Sequence, residues 1–145
     1  MKTGTTHMSP ATTRLSWAQV VVLLGGLFYI LTGLALLFAP VWFYEHIGNF
    51  PPFNRHYSGD LGAFLLPLGV ALLWAARQPA VHSLTISLAA VASLLHALNH
   101  AYDDWTAGSP LAHWFGETIP TFLFALLLLA AYWHVVRQHN NRLAG

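Results

Sequence analysis

The chain has 145 residues, of which 56% are hydrophobic and only 8% are charged, with six basic and five acidic residues. Soluble domains carry about 25% charged residues, so this composition excludes an ordinary soluble domain and indicates a membrane protein. The near balance of charge offers no basic surface for nucleic acid. The absence of cysteine excludes disulfides and thiolate metal ligands.

Four intervals without Asp, Glu, Lys or Arg predict the membrane-spanning helices. These intervals are Leu15–Tyr44, Leu61–Ala76, Gln78–Tyr102 and Thr118–Val136. A transmembrane helix needs about 17–25 mainly apolar residues, and the short second interval reaches that length if its helix begins near Ser58. We therefore predict an all-α fold, a four-transmembrane-helix antiparallel bundle with spans at about 17–39, 58–77, 79–102 and 115–137.

The rest of the chain is too short for a separate soluble domain. We predict a flexible cytoplasmic N-terminal tail over 1–16, a transmembrane domain over 17–137 and a cytoplasmic C-terminal tail over 138–145. The apolar core of the first helix, Val20–Ala39, exceeds the roughly 7–15 residues of a signal peptide, so we expect this helix to be retained.

The charged residues divide unequally between the two sides of the predicted bundle. The side with the termini and the 77–79 turn holds Lys2, Arg14, Arg77, Arg137 and Arg142. The other side holds Arg55 and the five acidic residues Glu45, Asp60, Asp103, Asp104 and Glu117. The positive-inside rule therefore predicts a multi-pass protein of the bacterial inner membrane with both termini in the cytoplasm and the polar site facing outside.

Glycine and proline predict how the helices end and pack. Pro40 is expected to end helix 1, and Pro67 to kink helix 2. Small contact positions are expected at Gly25, Gly26, Gly33, Gly59, Gly62 and Gly69. The Arg77–Pro79 turn predicts that helices 2 and 3 form an antiparallel hairpin, and Asp103–Pro110 is predicted to be a polar outer loop.

The stretch from Leu94 to Asp104 carries the most unusual polar residues of the predicted bundle. On a helix, His96, Asn99, His100 and Asp103 share one face. Ionisable side chains inside a membrane are costly unless they have partners, so they are candidates for function. Interhelical hydrogen bonding, metal or haem ligation, and proton handling all remain open for His96 and His100.

Histidine is followed four residues later by a second histidine or a carboxylate in three outer segments. The pairs are His56–Asp60, His96–His100, His100–Asp104 and His113–Glu117. Such side chains converging from facing helices build metal and cofactor sites, and imidazole with carboxylate suits zinc, iron, copper or manganese. The candidate metal ligands are His56, Asp60, His96 and His100, with His113 and Glu117 as further candidates. Candidates for ligand binding or proton handling are Asn54, Arg55, His56, Asp60 and Asn99.

Three segments carry a resemblance to a known kind of protein. They are GLFYILTGLALLFAP in helix 1, FNRHYSGDLGAFLLPLGVALLWA leading into helix 2, and a third helix that bears histidine. Together they resemble small bacterial four-helix membrane proteins of the DoxX-like and DUF4345-like groups. The most distinctive part is Asn54-Arg55-His56 followed by Asp60-x-Gly62-Ala63. The resemblance implies an integral membrane four-helix bundle and assigns no catalytic residue.

Two functions follow from these patterns. In the first, an outward His/Asn/Asp/Arg site binds a metal ion, haem or a small polar ligand, with a link to redox chemistry. In the second, the chain is a non-enzymatic accessory or scaffold subunit in the lipid bilayer. It would then have a membrane-protein partner or form a homo-oligomer, and its polar residues would be interhelical hydrogen bonds. Convergence of His56, Asp60, His96 and His100 on one cavity would favour the first function; exposure on separate faces would favour the second.

Overall fold

Helices make up nearly all of the computed structural model, which describes residues 15–48 and 51–145. The α-helices are α1 (Trp17–Phe38), α2 (Pro40–His46), α3 (Arg55–Arg77), α4 (Ser83–Ala107), α5 (Leu111–His113) and α6 (Ile119–Ala144). A π-helical turn, Trp114–Thr118, joins α5 to α6, and no β-strand occurs in the described ranges. Four segments are long and apolar enough to cross a membrane: α1, α3, α4 and Leu111–Ala144. The prediction of an all-helical chain with four helices able to span a membrane is confirmed for the described residues.

Local sequence explains where α1 and α2 begin. Ser16 and Gln19 form a capping box, in which each side chain accepts a hydrogen bond from the other residue's backbone N–H. Pro40 lies in the first turn of α2, where its missing N–H costs no helical hydrogen bond. The predicted end of helix 1 before Pro40 is therefore correct. Most of the predicted N-terminal tail, 1–14, lies outside the described residues.

The second membrane helix begins earlier than the predicted residue 58. The side chain of Asn54 accepts hydrogen bonds from the backbone N–H groups of His56 (3.0 Å) and Tyr57 (3.3 Å). This cap satisfies amide groups that have no partner inside the helix, and α3 therefore starts at Arg55. Pro67 lies inside α3, as the sequence predicts.

The third membrane helix is displaced from its predicted limits of 79 and 102. α4 begins at Ser83, because residues 78–82 form the turn, and it continues to Ala107. Gly108 ends it in the left-handed conformation (φ 65°), which glycine adopts without steric cost. The prediction that Asp103 and Asp104 lie in an outer loop is therefore wrong: both lie on the last turns of α4.

The last membrane helix contains a widened turn at its start. The backbone N–H of Ile119 bonds to the carbonyl of Trp114, five residues earlier. Pro120 has no N–H for the carbonyl four residues back, and its ring crowds that carbonyl, so a wider turn before it relieves the conflict. α6 then continues through Ala144, and residues 138–144 of the predicted tail are helical.

The closest contact in the bundle joins α1 and α3 through glycine. A Cβ atom added at Gly69 would lie 2.7 Å from the Ile30 nitrogen and 2.8 Å from the Gly26 oxygen. One added at Gly33 would lie 2.8 Å from the Leu66 nitrogen. The two backbones can approach this closely only because these positions lack side chains. We call Gly26, Gly33, Gly62 and Gly69 the glycine seam.

The remaining helices pack around this pair unevenly. α4 contacts mainly α6, and α6 also contacts α1. α3 and α4, the helices of the predicted hairpin, are joined by the turn over residues 78–82 but share few contacts. Many large apolar side chains are exposed, including Phe64, Leu84 and Leu95. Such surfaces are a liability in water but match the acyl chains of a bilayer.

Candidate functional site

A buried carboxylate joins the end of α4 to the start of the last span. Asp104 is only 3% exposed, although it is ionisable. Thr118, which is 1% exposed, donates a hydrogen bond of 2.5 Å from its Oγ1 to Asp104 Oδ2. The other carboxylate oxygen, Oδ1, lies 2.8 Å from His113 Nδ1. Buried charges are usually paired in this way, because an unpaired one is strongly disfavoured.

His113 lies between two carboxylates. Its Nε2 is 3.4 Å from Glu117 Oε1, and the His113 and Glu117 side chains are about one-third exposed. Its Nδ1 is buried and has no well-aligned hydrogen-bond partner, despite the short distance to Asp104. The contact with Asp104 is therefore close in distance but poorly directed as a hydrogen bond. We call Asp104, His113, Glu117 and Thr118 the polar junction.

The chain reaches this arrangement through two irregular turns. The backbone N–H of Ser109 bonds to the Asp104 carbonyl at 2.9 Å, which closes the end of α4 and turns the chain towards α5. The π-helical turn then carries Glu117 and Thr118. π-Helical turns inside longer helices occur frequently at functional sites. This geometry places the imidazole between two carboxylates, and it ties two membrane helices together.

A second polar group lies along one face of α4. His96 and Asn99 are exposed, and His100 and Asp103 are half-buried. The two imidazole rings pack edge to face with centroids 4.6 Å apart, and Asn99 Nδ2 donates to Asp103 Oδ2 at 2.9 Å. Across 15–48 and 51–145, neither imidazole forms a hydrogen bond or ion pair. We call these four residues the polar stripe.

The candidates at the start of α3 occupy a third, separate place. Asn54 serves as the helix cap, and Arg55 Nη2 makes a long contact of 3.4 Å to the Leu37 carbonyl. His56 Nε2 lies 3.4 Å from Asp60 Oδ2, with side chains 80% and 57% exposed. Within the described residues, Arg55 and Asp60 form no ion pair with each other. Exposed pairs of the His56–Asp60 kind contribute little to stability.

The predicted convergence of candidate ligands is not found. In the described part of the chain, no group of three or more His, Asp or Glu side chains could hold a metal ion. His56 with Asp60 and His96 with His100 remain two separate pairs. Structural zinc takes four ligands, so the two imidazoles of the polar stripe would need others from a second chain.

The sequence patterns missed the central role of Asp104 and Thr118. His100 and Asp104 have helical spacing, and so do His113 and Glu117, but their spacing does not indicate contact between the two helices. The available signal was Pro120 close after Glu117, which predicts an irregular turn at this position. That signal points to a distorted helix start but not to the partner of Asp104.

Comparison with known proteins gives no relative for this chain. No family model, curated protein or solved structure matches it. The resemblance to the DoxX-like and DUF4345-like groups therefore stays a prediction, and functional inference depends on the geometry of the chain.

Proposed function

We propose that the protein is a non-enzymatic subunit of a larger membrane assembly, and that the polar stripe contacts a transmembrane helix of its partner. The observation that carries this proposal is the exposure of His96 near the middle of a membrane-spanning helix. His96 and His100 contact each other edge to face, and neither imidazole has a hydrogen-bond partner among residues 15–48 and 51–145.

Depth in the membrane makes this exposure significant. α4 spans Ser83–Ala107, and Ala107 is the end closer to His96. At about 1.5 Å per residue, that end is about 16 Å from His96 along the helix axis. The hydrocarbon core is about 30 Å thick, so a spanning α4 holds His96 well inside it.

An imidazole exposed to lipid at this depth is unfavourable. Ionisable residues within membrane helices nearly always face a bundle interior, a water-filled cavity or another polar group. A partner helix with hydrogen-bonding side chains would supply the missing contacts. Each interhelical hydrogen bond in a membrane contributes about 0.6–2 kcal/mol, so several along one stripe favour specific association.

The weak contact between α3 and α4 supports the same proposal. An open groove of about 500 Å³ lies between them. Its lining residues are Pro67, Val70, Ala71, Trp74 and Thr85. One side of α4 is therefore incompletely covered by this chain, which leaves room for a helix from another subunit.

The chemistry of the stripe favours a different chain over a second copy. Two copies inserted with the same orientation are related by an axis along the membrane normal, so equivalent residues meet at equal depth. Asp103 would then face Asp103, and like charges at close range repel. A partner helix with polar side chains at three- and four-residue spacing avoids this conflict.

Site-specific crosslinking in native membranes tests the proposal. A photocrosslinking residue is placed at Asn99 and, as the matched control, at the adjacent Leu98, which is 50% exposed. Neighbouring positions on a helix point about 100° apart, so the two probes sample different faces at nearly the same depth. We expect a discrete protein adduct from position 99, mapped to a transmembrane helix of another chain, and no such adduct from position 98.

A His96→Leu/His100→Leu variant strengthens the test. We expect it to lose the adduct from position 99 while remaining folded, because neither imidazole bonds to another helix in the described part of the chain. Lipid adducts alone at position 99, adducts only to a second copy, or equal adducts from both positions would contradict the proposal.

We further propose that both termini face the cytoplasm of a bacterial inner membrane. The distribution of arginine and acidic residues supports this orientation. Since the chain has no cysteine, single-cysteine probes report it directly. Leu111→Cys and Leu143→Cys are matched, as both native residues are 75% exposed. An impermeant maleimide should label the first in intact cells and the second only after permeabilisation; the opposite pattern would reverse the assignment.

A further inference from the structure

We propose that a phosphate group with net negative charge binds in a pocket at the basic end of the bundle. This pocket has a volume of about 440 Å³. Its polar lining comes from Ser16, Gln19, Gln138, His139 and Arg142, and Pro79 belongs to its apolar lining. We call it the basic-end pocket. The proposal is independent of the partner proposed for the polar stripe.

The pocket lies where three parts of the chain meet. Ser16 and Gln19 are at the start of α1, Pro79 is in the turn between α3 and α4, and Gln138 to Arg142 are on the last turns of α6. These positions are the ends of three membrane-spanning segments. In a bilayer such ends lie in the headgroup layer, where phosphate groups are concentrated.

Three of the polar side chains that line the pocket already form hydrogen bonds within the chain. Gln19 Nε2 donates to the Ala76 carbonyl at 3.3 Å, and the Ser16 hydroxyl contacts Gln19 Oε1 at 3.1 Å. Gln138 Nε2 lies 2.9 Å from His134 Nε2. By contrast, Arg142 forms no ion pair with any residue of 15–48 or 51–145. Its guanidinium is the charged group available to a ligand.

The electrostatics of this end favour an anion. All five acidic residues of the chain lie towards the opposite end of the bundle. Arg77, Arg137 and Arg142 lie at this end, and Arg77 is placed over the Trp74 ring at 5.5 Å. The first turn of α1 adds the positive end of a helix dipole beside the pocket.

Arginine at this position matches the geometry of the phosphate groups at the membrane surface. Its planar guanidinium presents two parallel N–H donors to two phosphate oxygens, which adds directionality to the charge attraction. Basic pockets between membrane helices bind anionic lipid headgroups by this chemistry. A free phosphate ion offers the same oxygens, so lipid and ion are two sources of one ligand chemistry.

Native mass spectrometry of the full-length protein in detergent tests the assignment. The protein is incubated with phosphatidylglycerol, which is anionic, or with phosphatidylcholine, whose phosphate is neutralised by choline. We expect preferential retention of phosphatidylglycerol. Arg142→Gln should lower that retention about tenfold, because it removes a charge-assisted hydrogen bond to the phosphate together with the charge.

Arg137→Gln is the matched control, since Arg137 is exposed on the same helix and does not line the pocket. It removes the same charge and should change retention less than about twofold if only bulk charge is affected. Arg142→Lys keeps the charge and loses the paired donors, so its retention should fall between those of the wild type and Arg142→Gln. Circular dichroism checks that all three variants keep their helix content.

A titration with inorganic phosphate, followed by ³¹P line broadening, distinguishes the two sources. Broadening that Arg142→Gln abolishes would support the site with free phosphate as a ligand. Its absence, with selective retention of phosphatidylglycerol, would support the site with a lipid headgroup as occupant. Equal losses in Arg137→Gln and Arg142→Gln, or no preference for either anionic ligand, would overturn the proposal.

Discussion

The glycine seam between α1 and α3 and the polar junction between α4 and the last span join helices in opposite ways. At the seam, backbone meets backbone: an added Cβ at Gly69 would lie 2.7 Å from a backbone nitrogen. At the junction, side chains of Asp104, Thr118 and His113 make the contact. A close seam leaves no space for chemistry, whereas the junction places ionisable groups between helices. Predictions for the two regions therefore differ in kind as well as in size.

The largest effect is expected from Gly69→Ala. Its added methyl group would overlap the backbone of α1 at Ile30 and Gly26, so the two helices must separate. Overpacking of this kind costs about 1–3 kcal/mol and occasionally more. Unfolding by sodium dodecyl sulfate in mixed micelles measures the free energy of unfolding of the variant and the wild type.

Gly116→Ala is the matched control for the seam, because an added Cβ there meets no atom within 4 Å. We expect it to be neutral, or to stabilise by up to about 1 kcal/mol through lower backbone entropy in the unfolded chain. Equal destabilisation by Gly69→Ala and Gly116→Ala would show that the seam is not a close contact.

A smaller loss of stability is expected from Asp104→Ala. The change leaves the buried Thr118 hydroxyl without its acceptor and removes the carboxylate that lies beside His113. The side chain of neighbouring Asp103, by contrast, accepts a hydrogen bond from the exposed Asn99. Thermal unfolding in detergent should give the order wild type, Asp103→Ala, Asp104→Asn, Asp104→Ala, from highest to lowest melting temperature. Asparagine keeps an oxygen acceptor for Thr118 and so retains part of the contact. A lower melting temperature for Asp103→Ala than for Asp104→Ala would contradict the assigned junction.

A hydrogen bond between two buried hydroxyl groups, of Tyr29 and Ser93, gives the next prediction. Tyr29 and Ser93 share a buried hydrogen bond of 2.5 Å between α1 and α4, and Ser93 also donates to the Ala89 carbonyl at 2.7 Å. Tyr29→Phe should cost about 0.5–1.5 kcal/mol, because Ser93 keeps its second partner. Ser93→Ala should cost more, since the buried Tyr29 hydroxyl then has no partner. In a double-mutant cycle the two losses should be less than additive.

The smallest effect is expected at the start of α3. His56 and Asp60 form an exposed pair with side chains 80% and 57% accessible. His56→Ala and Asp60→Ala should each change the unfolding free energy by less than about 0.5 kcal/mol. A loss as large as that of Ser93→Ala would indicate that the pair has a buried partner in the assembly.

The membrane spans could be predicted because their signal is local. Charge-free runs of sufficient length, Pro40 at the end of α1 and the small residues of the glycine seam can all be recognised without knowing the neighbouring helix. Helix ends were less predictable, since they depend on caps. Asn54 caps α3, which therefore begins at Arg55, and Gly108 ends α4 only after Ala107, beyond Asp104.

The candidate site was predicted only in part. Helical spacing correctly paired His96 with His100, His56 with Asp60 and His113 with Glu117. The pairing of His100 with Asp104 was wrong, because the Asp104 carboxylate contacts Thr118 and His113. It could not show that His113 also reaches Asp104, because that contact depends on the turn after Gly108 and on the π-helical turn before Pro120. The proposed common metal site required all the pairs to converge, and spacing within one helix carries no information about that.

The sequence alone determined the class of this protein: an all-helical chain with four segments that can span a membrane. Each span is encoded by a continuous run of apolar residues, and a lipid environment leaves a helix as the only way to satisfy the backbone of such a run. The tertiary structure decided which polar groups meet. It buried Asp104 against Thr118 and left His96 exposed, because helix rotation and packing select the partner of each side chain.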